Sequence, residues 1–425
     1  MRIAVIGAGI AGLGAAWLLG RTHEVVVFEK EARVGGHTHT HTVEQAGQKY
    51  AIDTGFIVFN PANYPLLTRL FSELGVATQP TTMSFSVKNE HTGLEYNATN
   101  LNAMFCQRRN LLRPAFLRMV REILRFYREA PALLEVAGPG LTIGEYLAAN
   151  GYGPLFISDH LLPMASALWS APQSEVGQFP AKYLVQFMAN HRMLDAKNRP
   201  EWRVVTGGSS RYLDKLVPAL DGEIRTSAGV SRVERSDQGV RVFCAAGEER
   251  FDQVVFACHS DQTLALLADA TPVERDVLGA IGFQRNDTVL HTDASLLPRN
   301  PKAWAAWNVL RLREDHKGHR GRDHYSEPAC TVSYCMNLLQ GLQSPDPYVV
   351  TLNATARIDP AKILARMDYA HPIYTHAAVA AQQRWAELNG VNRSWFCGAW
   401  WGWGFHEDGL KSGVRVAEAL GVAWT

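Results

Sequence analysis

Arg2 to His37 constrains this chain more than any other stretch. Ile3 to Ile6 is a short apolar run of the kind a buried parallel strand requires. Gly7, Gly9 and Gly12 follow with the spacing G-x-G-x-x-G, and Ala11 to Leu19 is rich in Ala and Leu, as a helix would be. Glu24 to Phe28 is a second β-branched run that ends at Glu29. Strand, glycines, helix, strand and acid in that order predict a βαβ nucleotide-binding unit. Gly7 serves the tight turn, Gly9 the close approach of a pyrophosphate, and Gly12 the packing of helix on strand. Ile10 and Ala11 open the helix whose N-terminal amides receive the phosphates. A carboxylate at Glu29 suits a free ribose hydroxyl and repels a 2′-phosphate, so FAD or NAD is expected and NADP is not.

The residues that follow choose between the two. Lys30 and then Arg33-Val34-Gly35-Gly36-His37-Thr38 lead to Asp53-Thr54-Gly55-Phe56. With the glycine fingerprint, this resembles the flavin-dependent amine oxidase and phytoene desaturase superfamily. That family has an R-x-G-G-R loop after its second strand and a D-x-G turn soon after. His37 stands where the second Arg is usual. Further segments match in the family's order. Gly207-Gly208 to Leu213 resembles its G-G-x-x-x-L re-entry, Val230 its adenine-contacting valine, and Gly398 with Gly404 to Gly413 its C-terminal flavin segment. Phe405 replaces a Tyr, and Ala399 replaces a Glu, that are common there.

The resemblance implies an α/β chain: a Rossmann-like FAD-binding domain interleaved with an α+β substrate domain. The boundaries expected are 1–75, 200–275 and 386–425 for the FAD-binding domain and 76–199 and 276–385 for the substrate domain. It implies non-covalent FAD held by Gly7, Gly9, Ile10, Ala11, Gly12, Glu29, Lys30, Arg33, Gly35, Gly36, His37, Thr38, Gly55, Phe56, Val230, Gly398, Phe405, His406 and Leu410. Trp401, Trp403 and Phe405 are expected to wall the substrate cavity, with core packing as the plainer alternative. The wording LHTD at 290–293, AWN at 306–308, YCMN at 334–337 and GFHEDGLKSG at 404–413 resembles a bacterial branch of FAD-binding oxidoreductases, some of whose members are linked to fatty-acyl modification.

Three functions stay open at this point. One is an FAD-dependent oxidoreductase, of desaturase or oxidase type, that removes hydride from a hydrophobic small molecule such as a fatty-acyl or isoprenoid-like chain. Another is a flavin amine or amino-acid oxidase. The third is a non-catalytic flavin-binding partner of a lipid-modifying enzyme. The strand around Thr288 to Thr292 has no Lys of the kind many amine oxidases keep there, which weighs against an amine. His291 with Asp293 is a candidate acid–base pair and equally a structural one. His37, His39 and His41 alternate as metal ligands on one strand face would, but they follow directly on the diphosphate loop, so no metal is expected.

Composition adds exclusions. The net charge of +1 over 425 residues gives no general attraction to nucleic acid. Six cysteines, at 106, 244, 258, 330, 335 and 397, form no C-x-x-C pair, which suggests reduced thiols and a cytoplasmic protein. The apolar run after Arg2 holds the glycine fingerprint, so a secretory leader is not expected. Phe105 to Leu134 reads as one Arg-rich helical element. Arg118, Arg121, Arg125 and Arg128 share a face that is either solvated, or rests peripherally on anionic lipid or receives an acidic substrate.

Overall fold

The computed structural model describes residues 1–195, 199–312 and 331–425. Cys330 lies outside them. Its first strand, Arg2–Ile6, pairs in parallel with Glu24–Phe28 on one side and Gln253–Phe256 on the other. Glu223–Arg225 and Ser394–Phe396 complete a five-stranded parallel sheet. Such a sheet is covered on both faces, which is why its central strands are continuous apolar runs. Ile3, Val5, Val25 and Val27 face the helices Ile10–Leu19 and His406–Ala419. Ala4, Ile6, Val26 and Phe28 face an antiparallel meander of Val230–Ser236, Gly239–Cys244 and Gly247–Phe251. The two helices meet at backbone contact: a Cβ on Gly413 would lie 2.3 Å from the Ala11 carbonyl oxygen.

A seven-stranded sheet forms the second half. In spatial order it runs Ile363–Pro372, Phe283–His291, Val349–Leu352, Val332–Cys335, Trp307–Arg311, Phe85–Asn89 and Leu94–Asn97. All neighbours are antiparallel except Trp307–Arg311 and Phe85–Asn89, which run parallel. A helical layer that includes Pro114–Glu129, Leu162–Trp169 and Ala181–Asn190 packs beside this sheet. Two short ladders, Thr40–Gln45 with Gln48–Asp53 and Thr78–Thr81 with Trp202–Val205, lie between the halves.

The Arg-rich stretch is not one element. A 3₁₀ turn, Arg108–Leu112, stops before the helix Pro114–Glu129, and a second 3₁₀ turn, Ala130–Glu135, follows. Arg113 precedes a proline and is excluded from the helical region, while Pro114 fits the first helical position. Pro131 cannot continue the helix. Arg118 and Arg125 bond to Glu122 and Glu129, so part of the expected basic face is neutralised. Five strands had no counterpart in the sequence expectation: Gln48–Asp53, Thr78–Thr81, Gly247–Phe251, Trp307–Arg311 and Ile363–Pro372.

Candidate active site

The chain turns from its first strand into its first helix through Gly7, whose φ of +109° favours glycine. A Cβ on Gly12 would sit 1.9 Å from the Gly7 carbonyl oxygen, so this corner admits no side chain. Gly9 differs, because a Cβ there would meet nothing within 4 Å. It opens onto a cavity of about 1470 Å³, larger than the ~300–1,000 Å³ of one small-ligand pocket. Gly9 caps the helix Ile10–Leu19 without a side-chain bond, leaving the first amides free to face an anion.

Glu29 is buried on the next strand's end. Its carboxylate accepts the Ala8 amide at 2.8 Å and the Glu31 amide at 2.9 Å, which leaves lone pairs for a ribose hydroxyl. The Arg33 guanidinium donates to the carbonyls of Gly36 at 2.8 Å and Thr38 at 3.1 Å. It therefore shapes the loop as well as lining the cavity, beside Lys30, Gly35 and Gly36. Val230 lines the same end, and Gly55, Phe56, Gly398, Phe405 and His406 line the middle.

Thr38 itself faces away from the cavity and ties the loop to two helices. Its hydroxyl lies 2.6 Å from the Tyr212 hydroxyl and 2.9 Å from His406 Nε2. The His406 ring stacks on Phe56 with centroids 3.8 Å apart. Burial, then the nearby His37, pushes His406 down to about 3, so the helix start it occupies carries a neutral ring. Behind it Asp408 accepts the amides of Trp403 and Phe405 and is raised by burial to about 7.

His37 reaches toward His371 and Tyr369, with ring centroids 5.4 and 5.1 Å away, and His259 lies at 6.3 Å. All four line the cavity. Burial above all pushes His37 and His259 to about 4 and His371 to about 3, so the cluster adds no positive charge. His37 Nε2 is buried with no partner among the described residues. An open glycine cradle, free helix amides, an accepting carboxylate and an orphaned ring nitrogen together fit a dinucleotide cofactor.

Beyond this cradle the cavity is mainly apolar, with His160, His191 and Arg199 among its few polar residues. Met83, Phe85, Met164, Leu168, Trp307 and Leu352 line it, with Trp403 and Phe405 between the two parts. The one carboxylate lining that half among the described residues is Glu201, paired with Arg203. Besides Thr38, the sequence expectations for Trp401, Leu410, His291 and Gly12 are corrected here. Trp401 is off the cavity wall: its indole donates to the Phe396 carbonyl at 3.0 Å, and Trp400 takes the place expected of it. The Leu410 side chain is fully buried against the first helix, over Gly14, and not against the cavity. His291 is buried inside the seven-stranded sheet and lies off the cavity. Its Nδ1 accepts the Asp293 amide at 3.0 Å and its Nε2 meets Thr351 Oγ1 at 2.7 Å, so both nitrogens are occupied structurally. Gly12 likewise supports the cradle from behind it. Sequence reasoning missed His259, Tyr369 and His371. The only signal for the last two was the weak alternation of a strand.

The sequence model of one family, Flavin containing amine oxidoreductase, matches residues 10–282. A protein of Mycobacterium tuberculosis named provisionally as a flavin-containing monoamine oxidase is 28% identical over 277 residues, 63% of this chain and 59% of its own length. The chain thus spans about three-fifths of that relative. Among solved structures, the CLA-producing fatty acid isomerase of P. acnes is 16% identical with a TM-score of 0.66, covering 100% of this chain and 99% of that one. Cyclohexylamine oxidase of Brevibacterium oxydans is 16% identical with a TM-score of 0.66, covering 99% of both chains. At these identities the two structures speak for the fold.

Proposed function

The chain belongs to the flavin containing amine oxidoreductase family, and from that premise we propose that it is an FAD-dependent oxidoreductase that takes hydride from a fatty-acyl or isoprenoid-like chain. The observation that carries the substrate class is the second half of the cavity, apolar and without an unpaired carboxylate among the described residues. A cationic amine buried there would lack a neutralising partner, which is costly. FAD, when bound, supplies a two-electron acceptor for C–H oxidation. The protein's own residues do the rest. Amides at Ile10 and Ala11 bind the diphosphate, and Glu29 holds the ribose. The start of the helix His406–Ala419 offers its positive end to negative charge that develops on the cofactor. Trp400, Trp403 and Phe405 exclude water.

The test is an anaerobic absorbance spectrum of the holoprotein before and after addition of a total lipid extract. Bleaching of the flavin band by lipid is the expected result. Bleaching by amines alone, with peroxide released in air, would establish the second reading, an amine oxidase. The names of the relatives favour that reading, since monoamine and cyclohexylamine oxidases are among them.

A surface feature suits delivery of such a substrate. Leu112 is 87% exposed and Leu101 73%, beside Arg108, Arg109 and Arg113, which have no carboxylate partner among the described residues. Exposed leucines set among arginines match the chemistry of an anionic lipid surface. No described helix is long and apolar enough to cross a membrane. Vesicles of mixed phosphatidylcholine and phosphatidylserine should sediment the protein, and Leu112→Glu should release it.

A further inference from the structure

One polar side chain in the mainly apolar half of the cavity has a ring nitrogen with no partner among the described residues. His160 lies in a single π-turn, Ile157–Leu161, within a helical stretch. Such turns are rare and are frequent at functional sites. The ring is buried among Phe85, Tyr96 and Phe156, with centroids 6.2, 6.3 and 5.8 Å away, and it lines the cavity. Its Nε2 is buried with no partner among the described residues.

The hydrogen-bond pattern determines what that nitrogen can accept. The Tyr96 hydroxyl lies 2.6 Å from the Asp159 carbonyl oxygen and 3.0 Å from His160 Nδ1. A carbonyl cannot donate, so the single Tyr96 hydrogen goes to Asp159. Nδ1 must then carry the ring hydrogen and donate it to Tyr96. Burial, with Arg199 as a secondary influence, keeps the ring neutral, pushed down to about 3. Nε2 is therefore a bare acceptor buried among aromatic rings at the wall of the cavity, where an unmet lone pair is unfavourable.

The sheet gives its distance from the nucleotide cradle. Tyr369 and His371, beside His37, sit on the first strand of the seven-stranded sheet, and Phe85, against His160, sits on the sixth. Five strand spacings of ~4.8 Å separate them by about 24 Å. Leu352, Tyr334 and Trp307, on the third to fifth strands, line the cavity between.

We propose that His160 recognises the substrate at the end of the cavity remote from the cofactor, and that the apolar chain taken there carries a hydroxyl group that donates to His160 Nε2. This rests on the apolar-chain reading above and sharpens it.

The experiment is calorimetric titration of the holoenzyme with 1-dodecanol and with 1-methoxydodecane, which share the chain and the oxygen and differ in the hydroxyl hydrogen, replaced by a methyl group in the ether. The alcohol should bind about five- to tenfold more tightly, the worth of one hydrogen bond. His160→Phe should erase that preference while the ether's affinity holds within about twofold, and His160→Gln, which restores an acceptor oxygen, should keep much of it. Tyr96→Phe, which frees the ring to place its hydrogen on Nε2, should weaken the preference by a second route. Equal affinities in the wild type, or a preference that survives His160→Phe, would overturn the inference and leave the apolar-chain reading intact. Failure of both probes to bind the wild type would sink both.

Discussion

Gly9 and Gly12 belong to one fingerprint but protect different things. At Gly9 a side chain would enter the cavity, and at Gly12 it would enter the Gly7 backbone. Gly9→Asp should therefore give folded, colourless protein whose circular dichroism matches the flavin-free wild type. Gly12→Val should lower the melting temperature even without flavin. Glu29→Arg should also lose flavin, since it removes the acceptor for the ribose and for the Ala8 amide. Flavin retained in full by both Gly9→Asp and Glu29→Arg would contradict the site. These glycines and the acid were legible because their spacing is itself the constraint. Trp401 was not. In the 3₁₀ turn Ala399–Trp401 neighbouring side chains diverge, and a run of aromatics carries no phase to say that Trp400 meets the cavity.

Elements show the same division. The central strands of the parallel sheet are buried on both faces and read as plain apolar runs. Ile363–Pro372 is the longest strand of the second sheet and escaped notice. It lies at the sheet's edge, where exposed and buried residues alternate, and holds Arg366, Asp368 and His371. Because it carries Tyr369 and His371, that part of the site escaped with it. Register across distant segments, such as Trp307 against Phe85, has no local signal at all. One element contact is open to a sharp test. Arg235, on the meander, is only 1% exposed and forks onto Glu274, itself 3% exposed, and Asp269. Arg235→Ala strands a buried carboxylate and should cost about 3–5 kcal/mol of unfolding free energy in urea titration.

At the scale of the whole molecule, protons matter. His37, His39, His160, His259, His291, His371 and His406 are held by burial at about 3 or 4, against an ordinary 6.5. The unfolded chain binds these protons below 6.5 and the folded one does not, so stability falls as pH drops from about 6.5 towards 4. Asp53 and Asp408 act in the opposite sense. Burial raises them to about 6 and about 7 from 3.8, so the folded state keeps protons that the unfolded state releases, and their contribution favours folding at low pH. Seven groups outweigh two. The melting temperature should fall between pH 6.5 and 5, and His371→Phe should flatten that slope.

The last helix also sets when the molecule can form. His406–Ala419 covers the first helix, and the first strand waits for Gln253–Phe256 as its neighbour. At about 5–20 residues per second, synthesis leaves the N-terminal cradle uncovered for tens of seconds. Its fully apolar helix lacks its cover for that time, and the cavity has its full lining only once Gly398 to His406 have been made.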